Sequence, residues 1–175
     1  MAAEDQLKGE LNSTCNPGER STEMALWDAS KLNGLAQQSP GLHHCVRSLW
    51  NLPAKLGPSL ELDVRVPQVV LLASYPPGAL YHRHLDSYDG KDIPRLLTVL
   101  LYLQYDPQEG GELKALNCPN RTEAEGGPEW TIKPIPGRLC VFYSQEIEHM
   151  VLPSVGQRYA LTLWVWDVRK DASGR

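Results

Sequence analysis

The second half of the chain alternates short apolar runs with turn residues, and this pattern constrains the fold more than any other feature. Five runs rich in strand-forming residues follow residue 64: 69–73, 96–105, 130–135, 139–143 and 158–167. Proline and glycine clusters separate them, at positions 76–78, 110–111, 126–128 and 136–137. Six to eight short strands at this spacing predict a closed or double-sheet β architecture, for which jelly-roll and cupin-like barrels are the leading models.

Two helices are predicted before the strands. Residues 1–20 are polar and carry an Asn-Pro-Gly turn signal, so we expect a flexible N-terminus there. Ser21 or Thr22 can cap a first helix; its apolar positions would include Met24, Leu26, Trp27, Leu32 and Leu35. A second helix is predicted from Pro40 to Leu52, because proline suits a first turn and Pro53 should end the segment.

Length and pattern together predict a single domain. A chain of 175 residues is of ordinary single-domain size. We expect the domain to span residues 21–175, with helical support over 21–60 and a β-barrel core over 64–168. The predicted fold class is therefore mostly β, a jelly-roll or cupin-like barrel flanked by two N-terminal helices.

Composition excludes several functions. The net charge of -4 provides no basic surface for nucleic acid. No stretch reaches the roughly 18 apolar residues of a membrane span, and the acidic, polar start does not resemble a signal peptide. The four cysteines are far apart, which favours reduced thiols. We expect a cytoplasmic or nuclear protein with neither nucleic acid nor membrane as partner; the sequence indicates no oligomeric state.

Candidate metal ligands occur in two places. His84 and Asp86 are two residues apart, so on an extended chain their side chains would point to the same side. His149, which follows the run 139–143, adds a distant second histidine. Two histidines and one carboxylate leave three positions of an octahedral metal open, as in non-haem Fe(II) oxygenases. Taken singly, the triplet at 84–86 is usually just a polar strand end, and His149 is equally compatible with a surface histidine at a strand end.

Arg158 begins the run 158–167, which is apolar enough that it would normally be buried. With a period of two, Arg158, Ala160, Thr162 and Trp164 share one face of the strand and Tyr159, Leu161 and Leu163 the other. A buried guanidinium without an acidic neighbour in the sequence favours an anionic ligand, because its fork fits a carboxylate. The alternatives are an arginine at the solvent rim or one paired with a distant glutamate. Tyr102, on one face with Thr98 and Leu100, could place a phenol beside the anion.

In this order, these motifs resemble the 2-oxoglutarate and Fe(II)-dependent dioxygenases of the prolyl 4-hydroxylase type, particularly the oxygen-sensing (hypoxia-inducible factor) prolyl hydroxylases. The resemblance covers roughly residues 69–167. The nine-residue step from His149 to Arg158 fits the family. The matching segments are Tyr75-Pro76-Pro77-Gly78, His84-Leu85-Asp86, Tyr102-Leu103, Gly110-Gly111-Glu112-Leu113, His149 and Arg158-Tyr159-Ala160-Leu161-Thr162-Leu163-Trp164.

The resemblance implies a double-stranded β-helix and a role for each matching residue. His84, Asp86 and His149 match the catalytic iron ligands. Arg158 matches the arginine that binds the distal carboxylate of 2-oxoglutarate. The residues expected to assist it are Tyr102, Thr162 and Tyr75. The segment 87–95 corresponds to the mouth that touches a peptide substrate, although its composition departs from the family; the candidate mouth residues are Tyr88, Arg95 and Trp164.

The implied activity is hydroxylation of an unactivated C–H bond, in particular on a prolyl residue of a protein or peptide, with release of succinate and CO₂. The implied cofactors are Fe(II), 2-oxoglutarate and O₂, with ascorbate in support. We expect Leu100, Leu113, Val151 and Trp164 to line the site. The alternatives are the same chemistry on another residue or a small molecule, a catalytically silent metal- and ligand-binding barrel acting as a scaffold or sensor, and a zinc hydrolase.

Overall fold

The computed structural model describes residues 12–13, 23–28, 30–65, 69–88, 95–105, 110–117 and 127–167. Within these residues the chain forms two helices, α1 (Leu32–Gln38) and α2 (Pro40–Ser59). It also forms eleven strands: β1 (Asn12–Ser13), β2 (Glu23–Asp28), β3 (Val64–Arg65), β4 (Val69–Tyr75), β5 (Tyr81–His84), β6 (Arg95–Tyr105), β7 (Leu113–Asn117), β8 (Glu129–Ile132), β9 (Leu139–Tyr143), β10 (Ile147–Val151) and β11 (Arg158–Asp167).

The strands form two antiparallel sheets. The larger sheet has the order β1-β2-β4-β11-β6-β9, with β3 also pairing with β11. The smaller sheet has the order β5-β10-β7-β8. The two sheets face each other, since residues from both line one cavity and share one apolar cluster. This architecture is the double-stranded β-helix, or jelly roll, that the sequence predicts.

Strand β11 lies in the middle of the larger sheet and separates the core from the cavity. It pairs with β4 on one side and with β6 on the other. Its side chains at Tyr159, Leu161, Leu163 and Val165 belong to a core cluster that includes Leu35 of α1 and Val46 and Leu49 of α2. Its opposite face, formed by Arg158, Ala160, Thr162 and Trp164, lines the cavity. The predicted division of this strand into two faces is confirmed.

The predicted first helix is wrong over its first half. Residues Glu23–Asp28 form strand β2, which pairs with β4, and helix α1 begins only at Leu32. Four consecutive apolar residues at 24–27 satisfy a period of two as well as a period of 3.6. Pairing with the long apolar strand β4 decides in favour of a strand. In the part of the chain that the structure describes, helical support is thus limited to residues 32–59.

The predicted end of the second helix at Pro53 is also wrong. Helix α2 continues to Ser59 with Pro53 and Pro58 inside it. A proline in a helix interior typically costs about 3 kcal/mol, because it removes a backbone hydrogen bond. The buried residues of α2 follow a helical spacing that continues past this proline; they are Val46, Leu49, Pro53 and Gly57. Packing of this stripe offsets the lost hydrogen bond.

The remaining differences are smaller. Asn12–Ser13 pairs with residues 23–24 instead of being loose, and the rest of the predicted flexible N-terminus lies outside the described residues. The run expected at 130–135 forms the shorter β8, and nine strands, not six to eight, follow residue 63 within the described ranges. Cys45 and Cys140 are free thiols. No helix in the described part of the chain is long and apolar enough to span a membrane.

We predict that Leu161→Ala destabilises the protein by about 3 kcal/mol, within the range typical of buried leucine truncations. Leu161 is 0% exposed in the core beneath the helices, so its loss leaves a cavity. The matched control is Leu139→Ala on β9, because Leu139 is 45% exposed and its truncation should cost less than about 1 kcal/mol. Urea unfolding of both variants provides the measurement. Equal losses would show that the core is misplaced.

Candidate active site

The two sheets enclose a cavity of about 340 Å³ that opens to solvent. Much of its wall is apolar, and all four residues expected as lining are part of it: Leu100, Leu113, Val151 and Trp164. Leu71, Ala73 and Ala160 extend this wall along the larger sheet. The polar side chains form two groups, one around Asp86 and one around Arg158.

The first polar group is the cluster of His84, Asp86 and His149. One nitrogen or oxygen from each side chain lies within 4.8 Å of the others. Nε2 of His84 is 3.6 Å from Oδ1 of Asp86, and Nε2 of His149 is 3.7 Å from Oδ2. The histidines meet because His149 on β10 is the direct cross-strand partner of His84 on β5. Three potential ligands therefore converge on one point, as the sequence predicts.

The structure adds two details to that prediction. His149 lies at the centre of β10, a separate strand that follows β9. Asp86 lies beyond the end of β5, in a bend, so the alternation of an extended strand does not direct its side chain. The position of the carboxylate depends on contacts outside the strand pairing.

Hydrogen bonds fix the ring orientation of both histidines. Nδ1 of His84 donates to the carbonyl of His82 (2.7 Å), and Nδ1 of His149 donates to the carbonyl of Ile147 (3.2 Å). A carbonyl can only accept, so each Nδ1 carries a proton, and Nε2 is the ring nitrogen that faces Asp86 and is left to bind a metal. Burial lowers the pKa of His149 despite the nearby carboxylate, which favours the neutral, metal-binding form.

Asp86 is buried and held by a hydroxyl. Thr98 Oγ1 donates to Asp86 Oδ2 at 2.6 Å, and Ser144 Oγ is 2.9 Å from the same threonine oxygen. Burial by itself would raise the pKa of Asp86. The contacts with both histidines and with Thr98 outweigh that effect and hold the pKa well below its usual range. Asp86 is therefore an anion that lies between the two imidazole rings.

The second polar group surrounds Arg158, which is only 1% exposed. Its guanidinium carbon lies 4.3 Å from the ring centre of Tyr75 and 5.0 Å from that of Tyr102. Nε and Nη1 of Arg158 and the hydroxyl of Tyr102 are buried and have no hydrogen-bond partner among the described residues. Burial, partly opposed by the charge of Arg158, raises the pKa of Tyr102 to about 12, so the phenol keeps its proton.

Together the two groups suit a small dicarboxylic acid and a divalent metal. Buried donors without an acceptor are costly, and a ligand carboxylate would satisfy those of Arg158 and Tyr102. Two neutral imidazoles and a carboxylate on one side are the ligand set of non-haem Fe(II) sites. The alternative positions for Arg158, at the solvent rim or paired with a distant glutamate, do not occur within the described residues.

Two of the three expected mouth residues, Arg95 and Trp164, line the cavity. The guanidinium of Arg95 stacks 3.9 Å above the ring of Trp164, and its Nη1 donates to the backbone carbonyl of Asp86 (3.2 Å). Tyr88 is 50% exposed and borders a second depression beside Arg95. Residues 89–94 of the predicted mouth segment lie outside the described residues.

Three residues near the metal cluster were not assigned a role from the sequence. Thr98 had a readable signal, because it is a polar residue on the inward face of an apolar strand. Ser144 had none, since only the pairing of β6 with β9 brings it to Thr98. The ring of Tyr81 stacks on His84, with ring centres 3.8 Å apart. Thr162 and Tyr75, expected near the cosubstrate, do line the cavity.

Known proteins resemble the chain in sequence and in structure. Over 110 residues it is 32% identical to the mouse prolyl hydroxylase EGLN3. This match covers 60% of this chain and 43% of the mouse protein. A prolyl-4-hydroxylase from Pseudomonas putida superposes with a TM-score of 0.71 at 28% identity, covering 95% of this chain and 81% of that one. A Trichoplax adhaerens prolyl hydroxylase, solved with a hypoxia inducible factor peptide fragment, gives 0.70 at 26% identity, covering 99% and 78%.

These similarities cover the barrel. The chain spans less than half the length of the mouse relative that it matches. The model of the 2OG-Fe(II) oxygenase superfamily matches residues 70–166, a range that contains both polar groups of the cavity and every strand from β5 to β10. With the double-stranded β-helix and the His-Asp-His cluster in place, this match shows that the chain belongs to the 2OG-Fe(II) oxygenase superfamily.

Proposed function

We propose that this protein is a 2-oxoglutarate-dependent Fe(II) dioxygenase that hydroxylates an unactivated C–H bond, with a prolyl residue of a protein or peptide as its target. The observation that carries the proposal is the pairing, in one cavity, of a His-Asp-His cluster with a buried arginine that has unsatisfied donors. Membership of the superfamily implies Fe(II), 2-oxoglutarate and O₂. Ascorbate is proposed as a supporting reductant.

The cluster on the smaller-sheet side would hold the metal. His84 and His149 would bind through Nε2, because each Nδ1 is committed to a backbone carbonyl. Asp86 would supply the carboxylate and balance one positive charge. When bound, Fe(II) with 2-oxoglutarate and O₂ supplies the oxidation that converts the 2-oxoacid to succinate and CO₂ and a substrate C–H bond to C–OH.

The group on the larger sheet would orient 2-oxoglutarate. Arg158 would donate to the distal carboxylate through Nε and Nη1, and Tyr102 would add its hydroxyl proton. The rings of Tyr75 and Tyr102 beside the guanidinium restrict its movement. Thr162, two residues beyond Ala160 on the same face of β11, is proposed to assist. Fixed donors of this kind align the cosubstrate before reaction.

The apolar wall would shield the reaction from water. Leu100, Leu113 and Val151 line the cavity, so a bound oxoacid would be in contact with hydrocarbon except at its two ends. The indole N–H of Trp164 is buried without a partner among the described residues and could donate to a substrate carbonyl. Exposed Tyr88 and stacked Arg95 provide a surface for a peptide at the mouth.

The similar proteins support a protein substrate, and the free thiols support a reducing compartment. The similar proteins are described as prolyl hydroxylases, and one of them was solved with a peptide bound. The free thiols of Cys45 and Cys140 suit the cytoplasm or nucleus, which we propose as the location. A zinc hydrolase is less favoured, because its reaction would leave Arg158 without an anion to bind.

The function is tested by binding and turnover. Anaerobic addition of Fe(II) and 2-oxoglutarate should produce the weak visible absorption band of a metal-bound 2-oxoacid, and His149→Ala should abolish it. With air and a library of proline-containing peptides, the wild type should release succinate. A folded wild type without the band rejects the oxygenase assignment. The band without turnover on any substrate indicates a silent barrel, and turnover only with other substrates moves the target away from proline.

We predict that Arg158→Met separates stability from ligand binding. Methionine fills the space without a buried charge, so the unfolding free energy of the ligand-free protein should not fall and should rise by up to about 2 kcal/mol. In the presence of Mn(II), 2-oxoglutarate at 100 times its dissociation constant should stabilise the wild type by about 3 kcal/mol beyond Mn(II) alone. The unfolding free energy of the variant should not change when 2-oxoglutarate is added. Urea unfolding with and without ligand checks both. Equal ligand stabilisation in the two proteins contradicts the role of Arg158.

Gly111 lies close to Ser154 and to the side chain of Arg158. Gly111 has a φ of +70°, and its N–H donates to the carbonyl of Pro153 (3.0 Å). A Cβ built at this position would lie 2.9 Å from Ser154 Oγ and 3.3 Å from Arg158 Cδ. Any larger residue would therefore have to displace Ser154 Oγ and shift the stem of Arg158 by a few tenths of an ångström.

We predict that Gly111→Ala raises the dissociation constant for 2-oxoglutarate about tenfold and leaves metal affinity unchanged. The matched control is Gly137→Ala, whose φ is +79° but whose Cβ would meet nothing within 4 Å. Both variants should lose about 1–2 kcal/mol of stability from the positive φ. Calorimetric titration with 2-oxoglutarate and Mn(II) separates them. Equal weakening in both variants would mean that the contact with Arg158 is unimportant.

A further inference from the structure

The three metal-site residues are positioned by different means. His84 and His149 are cross-strand partners in the smaller sheet, so the backbone pairing holds both. Asp86 lies in a bend after β5, outside any strand. The rotation of its carboxylate must therefore be set by side-chain contacts. Within the described residues the side-chain hydroxyl that donates to the carboxylate is that of Thr98 in the larger sheet, and Ser144, after β9, contacts Thr98 in turn.

Two buried hydroxyls reach Asp86 in series. Thr98 and Ser144 are both 0% exposed. The carboxylate can only accept, so the single proton of Thr98 is donated to Asp86 Oδ2. Thr98 Oγ1 must then accept from Ser144 Oγ. The direction of the chain is fixed: Ser144 donates to Thr98, and Thr98 donates to Asp86.

The backbone around this chain is held at both ends. Ser87, next to Asp86, donates its N–H to the carbonyl of Ser144 (3.1 Å). Ser144 donates its own N–H to the carbonyl of Leu96 (3.0 Å), which keeps it against β6. Arg95 donates its N–H to Ser87 Oγ (3.0 Å). The hydroxyls thus start from fixed points and do not need to be ordered when a metal binds.

We propose that Thr98, supported by Ser144, is a positioning residue that fixes the rotation of the Asp86 carboxylate for a divalent metal. The proposal rests on the metal site proposed above. The 2.6 Å hydrogen bond to an ionised acceptor belongs to the short, charge-assisted class. Consecutive hydrogen bonds polarise one another, so Ser144 strengthens the donation by Thr98 without touching Asp86. Partners of this kind typically contribute about 10–100-fold to metal affinity.

The test compares the Mn(II) affinities of four variants and the wild type, measured by EPR of free Mn(II). Thr98→Val has the shape of threonine without the hydroxyl, and we expect its dissociation constant to rise about 10–100-fold. Thr98→Ser keeps the donor and should remain within about threefold of the wild type. Ser144→Ala should weaken binding by a smaller factor, about three- to tenfold. The double variant Thr98→Val/Ser144→Ala should be no weaker than Thr98→Val, because the two hydroxyls act in series.

The control for loss of a buried hydroxyl is Ser74→Ala. Ser74 is buried on β4 and accepts a hydrogen bond from Gln157, away from Asp86. The Mn(II) affinity of the Ser74→Ala variant should therefore equal that of the wild type. An unchanged Mn(II) affinity in Thr98→Val overturns the proposal. If the valine variant does not fold, an unchanged Mn(II) affinity in Ser144→Ala overturns it instead. Equal weakening in Ser74→Ala, or additive effects in the double variant, also overturns it. A wild type that binds no Mn(II) instead rejects the metal site itself.

Discussion

The central position of β11 is the constraint on which the rest of the structure depends. Because this strand pairs with β4 on one side and with β6 on the other, it lies inside the sheet and its two faces must both be covered. One face is covered by the helices through Leu161 and its neighbours. The other face cannot pack in the same way, because it begins with Arg158 and encloses a cavity. The core contacts that stabilise the fold and the residues of the ligand site therefore lie on opposite faces of one strand.

The buried guanidinium links that strand to the proposed chemistry. A charge in a site that is 1% exposed loses most of its hydration, and the rings of Tyr75 and Tyr102 compensate only in part. Donors on Arg158 and Tyr102 remain unsatisfied within the described residues. A bound carboxylate would remove that cost, so part of the affinity for 2-oxoglutarate would come from relieving an unfavourable ligand-free state. The unsatisfied donors therefore favour a binding site for an acid over a purely structural role for the arginine.

The sequence predicts whatever depends on local periodicity. The two faces of β11, the inward position of Tyr102 and the apolar lining were readable, because a period of two assigns each residue to a side. The apolar-rich segment 23–28 fits the strand period of two as well as the helix period of 3.6, and only pairing with β4 decides between strand and helix. Pro53 was misread because propensity ignores the packing of the stripe around it. The contact of Ser144 with Thr98 joins residues 46 positions apart and leaves no local trace.

The two halves of the site belong to different sheets, and this division determines how they can interact. The histidines belong to the smaller sheet, whereas Arg158, Tyr102 and Thr98 belong to the larger one. Leu113 and Val151 pack against Leu100 and Ala73 between the sheets and set their separation. A 2-oxoacid that bridges the metal and Arg158 would span this packed layer. A change in the volume of that layer should therefore alter the coupling between metal and oxoacid binding more than either affinity alone.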